Sequence, residues 1–279
     1  MWVFRPQFAN LRLMQPERIA ALLVPFLGDA TLAAAQLARL ATYIDLLLRW
    51  NARMNLTAVR GPEQIVTRHF GESLFAARRL YPASSLEPGA CSLIDLGSGA
   101  GFPGLPIKIW APAIQSTLLE SNHRKATFLR EVVRALQLSG VEVLSTRAEH
   151  VAQEIANHQS PITNSLTVTL RAVERFHKIL PAAVRLLENA NSAERRLALL
   201  IGSAQIPTAQ QLAPALAWSE PLPIPESSNR VLLTGHFGDE NGVARAPSPA
   251  GTVWHAACPE RSRRALPRVR SNLDPPLGR

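Results

Sequence analysis

The sequence has few cysteines, no long apolar run and fewer acidic than basic residues. Its two cysteines, Cys91 and Cys258, are too few for a disulfide framework, and no CxxC pair or His/Cys cluster marks a metal site. Proline and charged residues interrupt the longest apolar region, residues 20–48, so no membrane span is expected. The first residues lack the apolar stretch and cleavage site of an export signal, and we expect a cytoplasmic chain.

The shortage of acidic residues leaves a formal net charge of +9, from 30 Lys and Arg against 21 Asp and Glu. Seven arginines stand against Glu260 and Asp274 in residues 242–279, so that 7 − 2 = +5 lies there and +4 in the rest. Clustered cations suit a polyanionic partner such as nucleic acid. Charge alone, however, does not distinguish nucleic-acid binding from a merely soluble surface.

Residues 1–85 are predicted to form an N-terminal helical cap without strands. Apolar residues between Leu37 and Leu48 recur at spacings of three and four, which predicts an amphipathic helix over 31–50 with Thr31 as its cap. A second helix is predicted to begin at Pro62, because proline suits the first helical position, and to end near Leu80.

Residues 86–240 contain short apolar runs separated by helical segments. The runs that read as buried strands are 92–96, 115–120, 141–145, 165–170, 196–201 and 229–234, and the clearest helix is 122–138. Alternating strands and helices predict an α/β fold with a doubly wound, mostly parallel sheet. Residues 241–279 are rich in proline and arginine and are predicted to be a disordered tail, with a basic RNA-binding arm as the functional alternative.

A glycine-rich loop follows the first predicted strand. It fits two patterns: GxGxxG, from Gly99 to Gly104, is typical of dinucleotide sites, and DxGxGxG, from Asp95 through Gly97 and Gly99 to Gly101, is typical of S-adenosylmethionine-dependent methyltransferases. Asp95 favours the second pattern, because a carboxylate attracts the cationic sulfonium and amino groups of S-adenosylmethionine and repels a pyrophosphate. A nicotinamide-dependent oxidoreductase remains the alternative enzyme class.

Glu120 ends the second predicted strand, 21 residues after Gly99. Both cofactor classes place an acid here on the ribose hydroxyls. A carboxylate near the start of the following helix is also stabilised by the helix dipole and needs no ligand. Glu120 is therefore a cofactor-binding candidate under either interpretation.

Several further motifs lie between about residues 30 and 235. They are Trp50-Asn51, Met54-Asn55-Leu56-Thr57, Arg68-His69 with Ser73, the loop from Ile94 to Pro106, Leu118-Leu119-Glu120, Arg124-Lys125 with Phe128-Leu129, Arg147-Ala148-Glu149 and Arg171-Ala172. Together they resemble the small-subunit (16S) ribosomal RNA guanine-N7 methyltransferases, the glucose-inhibited division protein B family. The resemblance implies a Rossmann-like methyltransferase fold, S-adenosylmethionine as cofactor and methylation of guanine N7 in 16S ribosomal RNA.

Carried over residue by residue, the resemblance assigns cofactor contacts to Gly97, Phe102, Ala148, Glu149 and Arg171. The expected partner is 16S ribosomal RNA or the small ribosomal subunit, and a monomer without a metal ion is expected. The RNA-binding candidates are Asn55, Arg68, His69, Arg147 and Arg171. Three of these residues also have a purely structural interpretation: Asn55 could cap a turn, Arg68 could pair with Glu72, and His69 could be a packed histidine.

The implied chemistry requires no catalytic acid or base, because the lone pair of guanine N7 is already nucleophilic. The chain also lacks an (N/D/S)PP(Y/F) element after the fourth strand, as used for exocyclic amines, and Cys91 and Cys258 are poorly placed to act as nucleophiles. It departs from the family where lysines are usual, at Ile201-Gly202 and within 234–236. A ribosomal RNA-binding protein with a decayed active site is therefore a third possibility.

Overall fold

The computed structural model describes residues 14–82, 89–147, 164–171 and 176–237. The tail predicted over residues 241–279 lies outside these ranges. None of the helices in the described ranges has the length and apolar character needed to cross a membrane.

Helices alone form the secondary structure of residues 14–82. They are α1 (Pro16–Leu27), α2 (Ala34–Met54), α3 (Pro62–Ile65), a π-helical turn (Val66–Gly71) and α4 (Glu72–Leu80). The last three are continuous, so the helix predicted over 62–80 is confirmed, but its wide turn was not predicted. The predicted cap of α2 is wrong: Thr31 is exposed outside the helix, and the side chain of Gln36 accepts a hydrogen bond from Ala33 N (2.8 Å).

One mixed sheet follows in the chain. Its strands are β1 (Cys91–Leu96), β2 (Gln115–Leu119), β3 (Val141–Leu144), β4 (Ser165–Arg171), β5 (Glu194–Gly202), β6 (Leu216–Trp218), β7 (Leu222–Pro223) and β8 (Arg230–Phe237). Their order is β3-β2-β1-β4-β5-β8-β6, with β7 beside β8. Strands β1 to β5 are parallel and β8 is antiparallel to β5. All six predicted strands are present, and the prediction of a doubly wound, mostly parallel sheet is confirmed.

Helices cover both faces of the sheet. In the described ranges after residue 89 these are α5 (Gly104–Trp110), α6 (His123–Ala135), α7 (Phe176–Glu188) and α8 (Ile206–Leu212). Alternate residues of β1 face opposite sides: Leu93 belongs to an apolar cluster with α1, α2, α4, α5 and α6, whereas Ile94 and Leu96 belong to a second cluster with α7 and α8. Each fully buried aliphatic or aromatic side chain in these clusters contributes about 1.5–3 kcal/mol relative to exposure.

The N-terminal helices share the first apolar cluster with the sheet. Fully buried side chains of α2 and of the π turn, such as Tyr43 and Phe70, pack in that cluster with Leu93 of β1. The boundary expected at residue 85, between the helical cap and the sheet domain, stays a prediction. The packing places residues of α2 and of the π turn directly over the loop that follows β1.

Candidate functional site

The glycine-rich loop leaves β1 at the carboxyl edge of the sheet, the edge at which open α/β proteins bind ligands. Gly97 (φ 71°) and Gly99 (φ 57°) both adopt left-handed conformations that favour glycine. Gly97 is exposed and Gly99 is half-buried. A Cβ atom added at Gly99 would have no neighbour closer than the Gly97 carbonyl oxygen, at 3.8 Å. This part of the loop therefore presents bare backbone with space around it.

Gly101, unlike Gly99, is surrounded by side chains and allows α2 to pack against the loop. It has a φ of 91°, and a Cβ there would overlap the Tyr43 hydroxyl and lie 2.6 Å from Leu105 Cδ1. Tyr43, from α2, donates a hydrogen bond to the carbonyl of Ala100. The absence of a side chain at Gly101 thus allows α2 to approach the loop, and a contact of Gly101 with a cofactor stays a prediction.

Asp95 lies beneath the loop and is fully buried. Its Oδ1 accepts a hydrogen bond from Thr169 Oγ1 (2.8 Å), and its Oδ2 accepts one from Gly104 N (3.2 Å). Burial raises the pKa of Asp95 to about 6, although both hydrogen bonds favour the ionised form. In this structure Asp95 connects β1, β4 and the start of α5, and its predicted contact with the cofactor stays a prediction.

Glu120 connects the loop to α6. Its Oε2 accepts a hydrogen bond from Gly99 N (2.9 Å) and its Oε1 accepts one from Asn122 N (2.8 Å). The side chain of Asn122 in turn caps α6 by accepting from the first-turn amides of Arg124 and Lys125. A carboxylate offers about four lone-pair sites, so Glu120 keeps capacity to accept ribose hydroxyls, which stays a prediction.

The Phe102 ring is buried in an aromatic stack formed with the N-terminal helices. It is nearly parallel to Tyr43 (centroids 5.5 Å apart, 6°) and to His69 (4.9 Å, 25°), and Phe70 contacts it edge-on (5.1 Å, 87°). The guanidinium carbon of Arg171 lies 5.7 Å from its centroid. These contacts hold the end of the glycine loop against α2 and the π turn.

His69, predicted to contact RNA, is buried and bonded within the protein. Its Nδ1 lies 3.1 Å from Arg171 Nη2. Because arginine only donates, Nδ1 accepts, and Nε2 carries the hydrogen that is donated to Thr57 Oγ1 (2.7 Å). Burial, followed by the charge of Arg171, lowers the pKa of His69 to about 3. The ring is therefore neutral at pH 7, and an RNA contact stays a prediction.

Arg171, the last residue of β4, is held by a buried carboxylate. The two hydrogens of its Nη2 are shared among Glu72 Oε2 (3.0 Å), the Arg68 carbonyl (2.6 Å) and His69 Nδ1 (3.1 Å). The same Glu72 oxygen accepts from Arg230 Nε (2.9 Å), so one carboxylate lies between two guanidinium groups. Arg171 Nε is buried and has no hydrogen-bond partner among the described residues. A buried donor without an acceptor marks a position where a ligand could bind.

The other predicted site residues are more exposed. Asn55 ends α2 in a left-handed conformation (φ 48°) and accepts a hydrogen bond from Arg60 Nη2 (3.0 Å). Arg68 and Arg147 are also exposed. Arg68 and Glu72, whose i,i+4 spacing suggested a salt bridge, do not pair. Glu72 pairs instead with Arg171 and Arg230. Ala148 and Glu149 lie outside the described residues.

Sequence reasoning missed three residues that hold the site together. Thr169 bonds to Asp95 across 74 residues, and Tyr43 bonds to Ala100 across 57. Glu72 bonds to two cations that follow it by 99 and 158 residues. The available signal was a polar residue within an apolar strand, at Thr169; the local sequence around Tyr43 and Glu72 gives none. No group of three or more His, Cys, Asp or Glu in the described ranges could hold a metal ion.

Comparisons with known proteins identify relatives at about 40% identity. Ribosomal RNA small subunit methyltransferase G of Stenotrophomonas maltophilia is 41% identical over 173 residues, covering 61% of this chain and 77% of that protein. The protein of the same name from Chloroflexus aggregans is 40% identical over 156 residues, covering 56% and 61%. Among solved structures, a SAM-dependent methyltransferase from Aquifex aeolicus has a TM-score of 0.44 at 13% identity, covering 66% of this chain and 97% of that one.

The family model described as rRNA small subunit methyltransferase G (GidB) matches residues 36–194, more than half of the chain. The matched range includes the glycine-rich loop, Glu120, His69 and Arg171. The predicted resemblance is confirmed by this match and by relatives at about 40% identity. The chain therefore belongs to the rRNA small subunit methyltransferase G family.

Proposed function

We propose that the chain transfers a methyl group from S-adenosylmethionine to N7 of a guanine in small-subunit (16S) ribosomal RNA. The predicted enzyme class, an rRNA methyltransferase, is confirmed by the family membership. The observation that supports the site most directly is the open backbone at Gly99, where an added Cβ would meet nothing closer than 3.8 Å. At the same edge of the sheet, the buried Nε of Arg171 has no hydrogen-bond partner among the described residues. The nicotinamide-dependent alternative has no support from the family match.

The residues at the carboxyl edge fit this cofactor. S-adenosylmethionine, when bound, supplies an electrophilic methyl group. The exposed Gly97 and the open space at Gly99 leave room for its atoms against the backbone, and Glu120 has lone pairs left for its ribose hydroxyls. Arg171 Nε offers a buried donor for an acceptor group of either the cofactor or the guanine. The predicted contacts of Phe102, Ala148 and Glu149 belong to the same proposal.

The protein groups around this site are arranged for positioning rather than proton transfer. His69 is neutral and already uses both ring nitrogens, one as acceptor and one as donor. Asp95 is fully buried beneath the loop. Because N7 of guanine carries its own lone pair, the chain needs to align that atom with the methyl group, and alignment alone can contribute about 7–11 kcal/mol to lowering a barrier.

The RNA is proposed to approach over the N-terminal helices. Asn55, Arg68 and Arg147 are exposed and available to it, whereas His69 and Arg171 are enclosed and would act by shaping the site. The helical cap of residues 1–85 would then form one wall of the RNA entrance. We further propose that the chain acts as a cytoplasmic monomer.

A methylation assay tests the proposal. Purified protein is incubated with labelled S-adenosylmethionine and either whole small subunits or bare 16S ribosomal RNA, and N7-methylguanine is mapped by strand cleavage. Incorporation at one guanine is the expected result. Binding of S-adenosylmethionine and RNA without incorporation would instead indicate a decayed enzyme, the alternative suggested by Ile201-Gly202 and by residues 234–236. Calorimetric titration with NAD provides the control for the oxidoreductase alternative.

A further inference from the structure

A polar groove lies beside the proposed cofactor site. It runs between the segment 59–72 and the loop 225–230 and encloses a cavity of about 410 Å³. That volume falls within the range of small-ligand sites, about 300–1,000 Å³. The side chains that could bind a polar ligand there are Gln64, Thr67 and Arg68 on one wall and Ser227, Ser228 and Asn229 on the other.

The groove is at the carboxyl edge of the sheet. Gly202, which ends β5, pairs with Arg230, which begins the antiparallel β8. The loop before Arg230 therefore lies at the same edge as the ends of β1 and β4. Glu72 separates the groove from the cofactor site, since its carboxylate contacts Arg230 on the groove side (2.9 Å) and Arg171 on the other (3.0 Å).

The position of Glu120 indicates from which side the acceptor arrives. Glu120 follows β2, on one side of β1, whereas β4, β5 and β8 lie on the other. If Glu120 holds the ribose, as proposed above, the adenosine lies over β2 and the methyl group points toward β4. The acceptor base must then come from the half of the sheet formed by β4, β5 and β8, which is where the groove lies.

The chemistry of the groove suits a nucleotide strand. Arg68 is exposed and forms no salt bridge with any described residue, so its charge is available to a phosphate. Hydroxyl and amide side chains on both walls can donate to and accept from sugar and base edges. Among the residues that line the groove, Arg68 and Arg230 balance Glu72 and Glu226, and Arg230 is paired with Glu72. Arg68 is therefore the cation of the lining that is open to a phosphate.

We infer that this groove binds the RNA strand next to the target guanine, with Arg68 contacting a backbone phosphate. The inference rests on the proposed function and names the RNA-binding surface of that site. Arg230 occupies the strand position opposite Gly202, at the carboxyl end of β5. Its pairing with Glu72 keeps a cation at the edge of the groove.

The experiment compares three variants of the full chain with the wild type. Arg68→Ala removes the phosphate contact, and Ser228→Trp fills the groove from an exposed position in the loop. Arg185→Ala is the matched control, because Arg185 is an exposed arginine near the end of α7, toward the opposite edge of the sheet. Filter binding of labelled 16S ribosomal RNA measures RNA affinity without turnover, and calorimetry measures S-adenosylmethionine affinity.

Both groove variants should weaken RNA binding at least tenfold and leave S-adenosylmethionine affinity within twofold. Arg68→Ala should also reduce the slope of log affinity against log salt by about 0.7–0.9, the loss of one phosphate contact, which a merely structural effect would not do. Arg185→Ala should match the wild type. Wild-type RNA affinity in both groove variants would overturn the inference. Absence of methyl incorporation by the wild type would instead count against the proposed function, since the binding measurement does not depend on turnover.

Discussion

Replacing His69 by asparagine should remove a specific part of the protein's acid sensitivity. In the wild type the neutral ring accepts a hydrogen bond from Arg171 at Nδ1, so a second proton would have to enter between the ring and a guanidinium group only 3.1 Å away. An asparagine side chain keeps a hydrogen-bond acceptor near that position but does not titrate. The two proteins should therefore differ in how stability changes with pH.

The size of the effect follows from the pKa of His69, which folding lowers from 6.5 to about 3. Below pH 6.5 the unfolded chain binds a proton at this histidine that the folded protein does not. The free energy of unfolding is therefore unaffected by His69 above pH 6.5 and decreases as the pH falls toward 3. At about 1.4 kcal/mol per pH unit, the loss at pH 5 is about 2 kcal/mol. Asp95 has the opposite effect, because folding raises its pKa to about 6. Between pH 6 and pH 5 the folded protein binds a proton that the unfolded chain does not, which increases the free energy of unfolding by about 1 kcal/mol at pH 5.

Because these contributions oppose each other, the comparison must be between variant and wild type. Urea unfolding at pH 7.5 and pH 5 measures the free energy of unfolding of each protein. The wild type should lose about 2 kcal/mol more than His69→Asn on acidification. His177→Asn, at an exposed histidine of α7, is the control and should behave as the wild type. An equal loss in His69→Asn and the wild type would refute the assignment of a neutral, enclosed ring.

Three further predictions concern the loop and the tail. Gly101→Ala should lower the free energy of unfolding by about 2–4 kcal/mol, because the added methyl group overlaps Tyr43 at a positive φ; denaturation that matches the wild type would contradict this. Gly97→Asp should abolish S-adenosylmethionine binding in calorimetry while thermal unfolding stays cooperative, and retained tight binding would count against a cofactor site at the glycine-rich loop. Deleting residues 242–279 should leave S-adenosylmethionine affinity unchanged, and a large loss would show that the tail contributes to the site.

The main strands were predictable because parallel strands buried on both faces are continuous apolar runs. The strands β6 and β7 were not, since they are only three and two residues long and pair with β8 alone. The π turn was also missed. A helical pattern with regular spacing does not indicate one wide turn, and the run of buried residues from His69 to Ala77 continues past the turn into α4.

For the site, the glycine spacing predicted a ligand-binding loop, but local sequence could not distinguish glycines with open space from those needed for packing. Gly99 has open space whereas Gly101 accommodates Tyr43, and that difference depends on where α2 packs. The salt bridge considered between Arg68 and Glu72 is absent for the same reason, because local sequence does not show which distant residues pack nearby. A helical i,i+4 spacing is a local argument, whereas the carboxylate is bound by arginines contributed by two distant strands.

The linkage of Glu72 with Arg171 and Arg230 has a consequence for how the molecule unfolds. Glu72 belongs to α4, and its two arginines belong to β4 and β8, so separating the N-terminal helices from the sheet would break both ion pairs together with the apolar cluster that the two parts share. The helices and the sheet should therefore unfold in one transition. The slowest amide hydrogens of both parts should exchange at the same rate, the rate set by global unfolding. A fragment beginning at residue 86 would then be an aggregation-prone remnant rather than an autonomous methyltransferase domain.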